Sequence, residues 1–203
     1  MNNSENIGPA ASRNRGLKIA KEKYIAILDA DDISLPTRIE KQHQFLEEHP
    51  DIFLCGTGML NIDENGNIID TPETFVGHEK IEKMLIKTNC IAHSSIMFKN
   101  ENVFYREKFV YSHDYDFYLI LLSKGLKLEN LDEVLIKYRS TLGNISFSKR
   151  KKQGLFANKA TEFYTQRLKI GRDEYEYFDN SKILSIKDID EVLPFPLKFL
   201  YFL

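Results

Sequence analysis

A chain of 203 residues can hold one domain with a sizeable core, or one domain and a helical tail. Hydrophobic content of 42% and charged content of 29% are those of an ordinary soluble globular protein, so neither a fibrous nor a disordered chain fits. A net charge of −2 gives no support to a general nucleic-acid binder, although Lys149, Arg150, Lys151 and Lys152 form one local basic run. Cys55 and Cys90 stand far apart with no partner motif and read as space-filling thiols of a reduced compartment. Residues 1–16 lack the apolar core of a signal peptide, and no apolar run reaches the roughly 20 residues that a spanning helix needs.

In chain order, Gly8-Pro9 followed by AASRNRGLKIAK predicts a helix, because proline is favoured in the first turn. Tyr24–Leu28 predicts a strand that is apolar on both faces, as in the interior of a parallel sheet. Leu35-Pro36 starts a second helix that stops before Pro50. Ile52–Cys55 reads as a buried strand, and Asn65-Gly66 between Met59–Ile62 and Ile68-Ile69 is a hairpin signal. Ile81, Met84 and Leu85 give a short amphipathic helix, and His93–Lys99 a further strand. Asp114–Lys124 reads as a helix stopped by Gly125, with strands at Leu126–Leu128 and Val134–Tyr138 behind it. Gln153–Lys169 is helical again. The alternation predicts an α/β sandwich with a mixed sheet. The last eleven residues, LPFPLKFLYFL, are apolar but broken by Pro194 and Pro196, and are expected to dock on protein rather than on a membrane surface.

The segment YIAILDADDISLP, residues 24–36, runs apolar residues straight into Asp29, Asp31 and Asp32. At the carboxyl end of a central strand, side chains project into the crevice where α/β proteins bind ligands. In an extended segment Asp29 and Asp31 would share a face, and carboxylates held so close repel unless a proton or cation sits between them. A hard divalent ion, Mg²⁺ or Mn²⁺, suits such oxygens and usually also holds a substrate phosphate. The plainer reading is an acidic loop in which Asp32 or Ser34 caps the helix near Pro36. The residues by themselves leave both open.

The company of the motif narrows the choice. NIGPAASRNRG at 6–16, a helix, and then YIAILDADD resemble the family 2 glycosyltransferases of the GT-A fold. HSSIMFK at 93–99, HDYDFYLILLSKG at 113–125 and LDEVLIKYR at 131–139 resemble later blocks of that family in the same order. The resemblance implies a GT-A-like three-layer α/β sandwich with a mixed, mainly parallel sheet over residues 1–145, lacking its first strands, and a helical C-terminal extension at 146–203. It implies that Asp29 and Asp31, with Asp32 beside them, bind Mn²⁺ or Mg²⁺ on a nucleotide-diphosphate sugar donor. Arg13 would help to hold the donor, Asn14 would fix the local turn, and Asp114 would be the catalytic base, which otherwise reads as a helix cap. His93 and His113 would line an acceptor pocket. The activity implied is inverting transfer of a single sugar to a glycan or lipid-linked glycan, in bacterial surface-polysaccharide assembly on the cytoplasmic face of a membrane.

Three departures qualify the match. Met1 falls where the family is already in its third strand-and-helix unit, so that roughly 60 residues, with the first strand and the acidic residue that reads the nucleotide base, are expected to be missing. The chain would then be a fragment, the product of a misassigned start, or one half of a split protein whose partner supplies those strands. His113 replaces the usual glutamate before the base, and Ile120 stands where arginine is common. There is no tryptophan, hence no Q-x-x-R-W motif of processive synthases. Two alternatives stand beside the transferase. One is an inactive, merely folded or partner-binding domain. The other is a haloacid-dehalogenase-type phosphatase, with Asp29 as nucleophile and Asp31 as acid/base.

Overall fold

The computed structural model describes residues 3–140 and 149–187; the apolar tail at 193–203 lies outside them. The described residues fall into two compact bodies, one made of residues 21–101 and 125–140, the other of 3–20, 102–124 and 149–187.

The first body is a six-stranded mixed sheet with two helices. Its strands are β1 (Tyr24–Ala26), β2 (Ile33–Ser34), β3 (Ile52–Ile62), β4 (Ile68–Asp70), β5 (Met97–Lys99) and β6 (Lys127–Arg139). They run in the order β1-β5-β3-β6-β2, with β4 beside β3. The parallel character rests on one long ladder, β3 with β6, while the other four pairings are short and antiparallel. β3 joins the two segments that the sequence separates at Cys55 and Met59, and β6 joins Leu126–Leu128 to Val134–Tyr138. The reason is tertiary. Gly56 and Gly58 have weak strand propensity, yet an added Cβ at Gly56 would collide with Asn130 Oδ1, and one at Gly58 would press on Thr74 and on the Glu133 carbonyl. The close neighbours leave room only for glycine, and β6 bulges opposite Gly58, where the register skips Asp132 and Glu133. The hairpin at Asn65-Gly66 forms as expected, with Gly66 at φ 87.

Two expectations need correction. Tyr24–Leu28 is not an interior strand buried on both faces. β1 ends at Ala26, stands last in the strand order, is partly exposed, and leaves Leu28 open to solvent. His93–Lys99 is not one strand either: His93–Ser95 coil into a single 3-10 turn before β5, which turns the Ser94 and Ser95 hydroxyls to backbone amides.

Helices α2 (Arg38–Glu48) and α3 (His78–Leu85) belong to this body. α2 buries Arg38, Gln42 and Leu46, four residues apart and therefore on one face.

The second body is helical. It contains α1 (Pro9–Ile19), α4 (His113–Ser123), α5 (Arg150–Ile170) and α6 (Ser181–Leu184), with a 3-10 turn at Tyr175–Tyr177. α4 is buried on nearly every side through Tyr115, Phe117, Tyr118, Leu119, Leu121 and Leu122, so it reads as a core helix rather than an amphipathic one. Gly125, at φ 73, follows it as the stop residue. α5 packs on α4, and Phe109, Phe156, Phe163 and Phe178 interlock with centroid separations of 5.6–6.2 Å. The described part of the extension thus shares a core with α4. No helix among the described residues is long and apolar enough to cross a membrane.

Candidate functional site

The three aspartates lie in a turn, not in an extended segment, so the shared-face argument for Asp29 and Asp31 gives way to turn geometry. The Asp32 N–H donates to the Asp29 carbonyl at 3.2 Å, and the Asp29 N–H donates to Ser94 Oγ at 3.1 Å. The turn sorts the carboxylates by burial: Asp31 is exposed, Asp29 half-buried and Asp32 only 8% exposed. Asp32 Oδ1 accepts the Arg139 N–H at 2.8 Å, whereas Oδ2 is buried with no hydrogen bond. Burial pushes the Asp32 carboxyl above its usual range, against the pull of the Ser94 hydroxyl and the Arg139 N–H, and Asp31 and Asp29 push the same way.

The turn is fixed from both flanks. Arg139, the last residue of β6, donates from Nε to the Asp31 carbonyl at 3.0 Å, and from Nη1 to the carbonyls of Asp63 at 2.8 Å and Glu64 at 3.0 Å. Arg38 is 1% exposed and donates to the carbonyls of Ile27 at 2.7 Å and Ile96 at 3.0 Å, and to Gln42 Oε1 at 2.8 Å. Gln42 in turn donates to the carbonyls of Cys55 and Ser95, both at 2.8 Å. This relay ties α2 to the strand ends that carry the acidic turn. Burial lowers the Arg38 guanidinium to about 10. Neither Arg38 nor Gln42 stands out in the sequence as a site residue, because each reads as part of a charged, solvated helix. The available signal is their four-residue spacing with Leu46.

Asp29, Asp31 and Asp32 offer hard oxygen donors, one of them a buried oxygen without a partner, which suits Mg²⁺ or Mn²⁺ in chemistry. Among the described residues no group of three or more His, Cys, Asp or Glu side chains converges on one point. The turn can therefore supply one or two ligands, as Mg²⁺ commonly accepts when substrate phosphates and water complete the shell.

In the helical body, α4 begins after Ser112, which sits in the left-handed region at φ 52 and donates its hydroxyl to the Gln153 carbonyl at 3.0 Å. A left-handed serine costs about 1–3 kcal/mol and persists only where its surroundings enforce it. It places His113 and Asp114 in the first turn, where the helix dipole favours negative charge. Arg13 Nη1 lies 2.6 Å from His113 Nε2. Asn14, which is buried, does not act on a local turn. It accepts the Tyr105 N–H at 2.8 Å and donates to the Tyr105 carbonyl at 2.9 Å and to Glu107 at 3.0 Å, binding α1 to a segment 91 residues away. His93 is half-buried in the 3-10 turn beside Ser94, in the sheet body.

Below His113 the same body holds a charged cluster. Arg106 makes a forked bond with Asp116, which is fully buried, and donates to Asp173 at 2.7 Å; Arg167 also pairs with Asp173 and donates to Ser123 at 2.8 Å. The Arg106 guanidinium lies over the rings of Tyr175, Phe163 and Phe109 at 4.5, 4.9 and 5.1 Å. Burial alone would raise the Asp173 carboxyl, but the Tyr175 N–H, Arg106 and Arg167 outweigh it and hold the group below its usual range.

Comparison with known proteins agrees with this architecture. The family model for "Glycosyl transferase family 2" matches residues 1–110. A glycosyltransferase of Methanocaldococcus jannaschii is 41% identical over 162 residues, 77% of this chain and 56% of that protein. The O-antigen biosynthesis glycosyltransferase WbnJ of Escherichia coli is 38% identical over 128 residues, 60% of this chain and 50% of its own. The chain thus spans about half the length of these relatives. The amylovoran biosynthesis glycosyltransferase AmsE of Erwinia amylovora is 27% identical and covers 97% of this chain. Among solved structures, residues 1–349 of S. aureus TarS in complex with UDP-GlcNAc superpose with a TM-score of 0.53 over 89% of this chain and 57% of that one, at 13% identity, which supports the fold. The phosphatase alternative has no place beside these matches, and the chain belongs to glycosyltransferase family 2.

Proposed function

We propose that this chain carries donor-binding and catalytic parts of an inverting glycosyltransferase that moves a single sugar from a nucleoside-diphosphate donor to a hydroxyl acceptor. The observation that carries the reading is the acidic turn, in which Asp32 is anchored by Arg139 with one buried oxygen unmet while Asp31 is presented to solvent. In this reading Asp29 and Asp31 hold Mg²⁺ or Mn²⁺ with Asp32 in support. The ion, when bound, offsets the charge of the departing diphosphate. Arg13 contributes positive charge toward the donor, with Asn14 fixing the helix that carries it. Asp114 takes the proton from the acceptor hydroxyl, whose oxygen then attacks the anomeric carbon from the side opposite the leaving group. A single displacement inverts that carbon. His93 and His113 serve the acceptor side.

The relatives support a place in surface-polysaccharide assembly. WbnJ and AmsE are named for O-antigen and amylovoran biosynthesis. A third relative, 34% identical over 151 residues, is named as a UDP-glucose-dependent glucosyltransferase acting on a GlcNAc-diphosphoundecaprenol. A lipid-linked glycan acceptor met at the cytoplasmic face of a membrane is the corresponding proposal here.

The test is thermal unfolding with and without Mn²⁺ plus a panel of nucleoside diphosphates, since a ligand that binds only the folded state raises Tm by mass action. A rise that needs both metal and nucleotide, and disappears in Asp31→Ala, supports the donor reading. A well-folded chain with no rise at saturating ligand counts against it.

A further inference from the structure

We infer that His113 is a positioning residue for Arg13, holding its guanidinium only while the imidazole is neutral, so that donor binding acquires an acid limit from this residue. The inference rests on the donor role proposed for Arg13. Its basis is bond polarity. Every guanidinium nitrogen is a donor, so at 2.6 Å from Arg13 Nη1 the Nε2 atom of His113 must be the acceptor. That assigns the proton of the neutral ring to Nδ1. Protonating Nε2 would set an N–H against an N–H and a positive charge against another within hydrogen-bond distance, and the contact would open. A carboxylate in this place would hold an arginine over the whole physiological range. A histidine holds it conditionally.

The surroundings of the ring leave little freedom for a different pose. The ring of Tyr105 stands edge-on to His113 with centroids 5.9 Å apart, and Arg13 lies 6.0 Å from the Tyr105 ring centre. Asn14, next to Arg13, is bonded to the Tyr105 backbone and to Glu107, which clasps α1 to the 105–107 segment. On α4 itself, Asp114 follows His113, and Asp116 is committed to Arg106. α5 reaches this end of α4 through the Gln153 carbonyl, which takes the Ser112 hydroxyl, with the buried Lys152 one residue earlier. The contact at Nε2 is with a cation.

The experiment combines two readouts on the full chain. Long-range ¹H–¹⁵N spectra of histidine-labelled protein from pH 5 to 8, with His113 assigned by its loss in His113→Gln, are expected to show the neutral ring protonated on Nδ1. The midpoint of its titration should move to higher pH in Arg13→Ala, because a guanidinium beside the ring disfavours its charged form. A ring protonated on Nε2, or a midpoint that Arg13→Ala leaves in place, overturns the pairing. UDP binding in the presence of Mn²⁺ is then titrated between pH 5.5 and 7.5. Wild type should lose about tenfold or more in affinity towards acid, and His113→Gln, which can accept from Arg13 but not titrate, should show a flatter profile. Equal slopes in the two proteins overturn the acid limit. If the spectra show the pair but Arg13→Ala binds UDP as wild type does at pH 7.5, the donor reading of Arg13 has failed and the inference falls with it.

Discussion

The acidic turn after β1 and the charged cluster beneath α4 use the same residue types to opposite ends. In the cluster, Arg106, Asp116, Arg167 and Asp173 pair opposite charges inside an aromatic wall, with Arg167 Nη2 the buried atom that makes no hydrogen bond, and Asp116 has no exposure at all. In the turn, Asp32 Oδ1 accepts the backbone N–H of Arg139 while its buried Oδ2 goes unmet, and Ser94 Oγ accepts the Asp29 N–H. Nearby Arg38 is equally buried yet bonds to carbonyls and an amide rather than to a carboxylate. Mutual neutralisation is what a structural cluster needs, because an unpaired buried charge is expensive. A turn that gathers three carboxylates, with the Arg139 guanidinium beside it bonded to backbone carbonyls, is at odds with that rule, and such exceptions concentrate where a ligand completes the balance.

The contrast can be broken most severely in the cluster. Arg106→Met strands the buried Asp116 carboxylate and should cost about 3–5 kcal/mol in urea unfolding. The double change Arg106→Met with Asp116→Leu should recover much of that loss, and failure to do so would mean that the ring packing of Arg106 matters more than its charge. Next comes Arg38→Met, which takes the Arg38 donor from the Ile27 carbonyl and from Gln42 Oε1, while the Ile96 carbonyl keeps the Ile27 N–H, and should cost about 2–6 kcal/mol at roughly 1–3 kcal/mol for each unmet group. A cost near zero would show that Arg38 does not tie the turn to α2.

Smaller in stability, and opposite in character, is Asp31→Ala. An exposed side chain of this kind should change stability by no more than about 0.5 kcal/mol, while the Tm rise produced by Mn²⁺ with UDP should vanish. Loss of stability with retention of the ligand effect would reverse the roles assigned to the two regions. The mildest test is pH. Asp173 is held below its usual range in the folded chain, so its contribution is present above about pH 4, where an unfolded aspartate is already ionised, and is lost as pH falls through the lower folded value. Asp173→Asn should flatten the decline in stability between about pH 4 and pH 2 relative to wild type. An unchanged acid limb would assign that decline to other carboxylates.

Much of the element order was legible in the chain. Pro9 marks the start of α1, Pro50 and Gly125 stand just past the ends of α2 and α4, and Asn65-Gly66 marks the β3–β4 hairpin, because proline fixes φ and glycine adopts positive φ without a Cβ clash. The acidic turn could also be located, though not its shape: Asp-Ala-Asp-Asp reads as an extension of a strand, and only the Asp32–Asp29 backbone bond closes it into a turn. Arg38, Gln42 and Arg139 escaped notice as site supports because each acts on backbone carbonyls of residues remote in sequence, and carbonyls carry no sequence signature.

What the sequence determined by itself was therefore local: where helices start and stop, where the hairpin turns, and where carboxylates gather. The tertiary structure decided what required two distant segments to meet. Gly56 and Gly58 sit in strands because Asn130 and Glu133 crowd them, not because glycine favours a strand. Asn14 is a backbone clasp because Tyr105 offers it both an N–H and a carbonyl. His113 faces a guanidinium because α1 and α4 converge, and that contact, not the residue type alone, fixes which of its nitrogens carries the proton. Local backbone preference is written in single residues, whereas charge pairing, close approach and tautomer are properties of contacts, which exist only once the chain has folded.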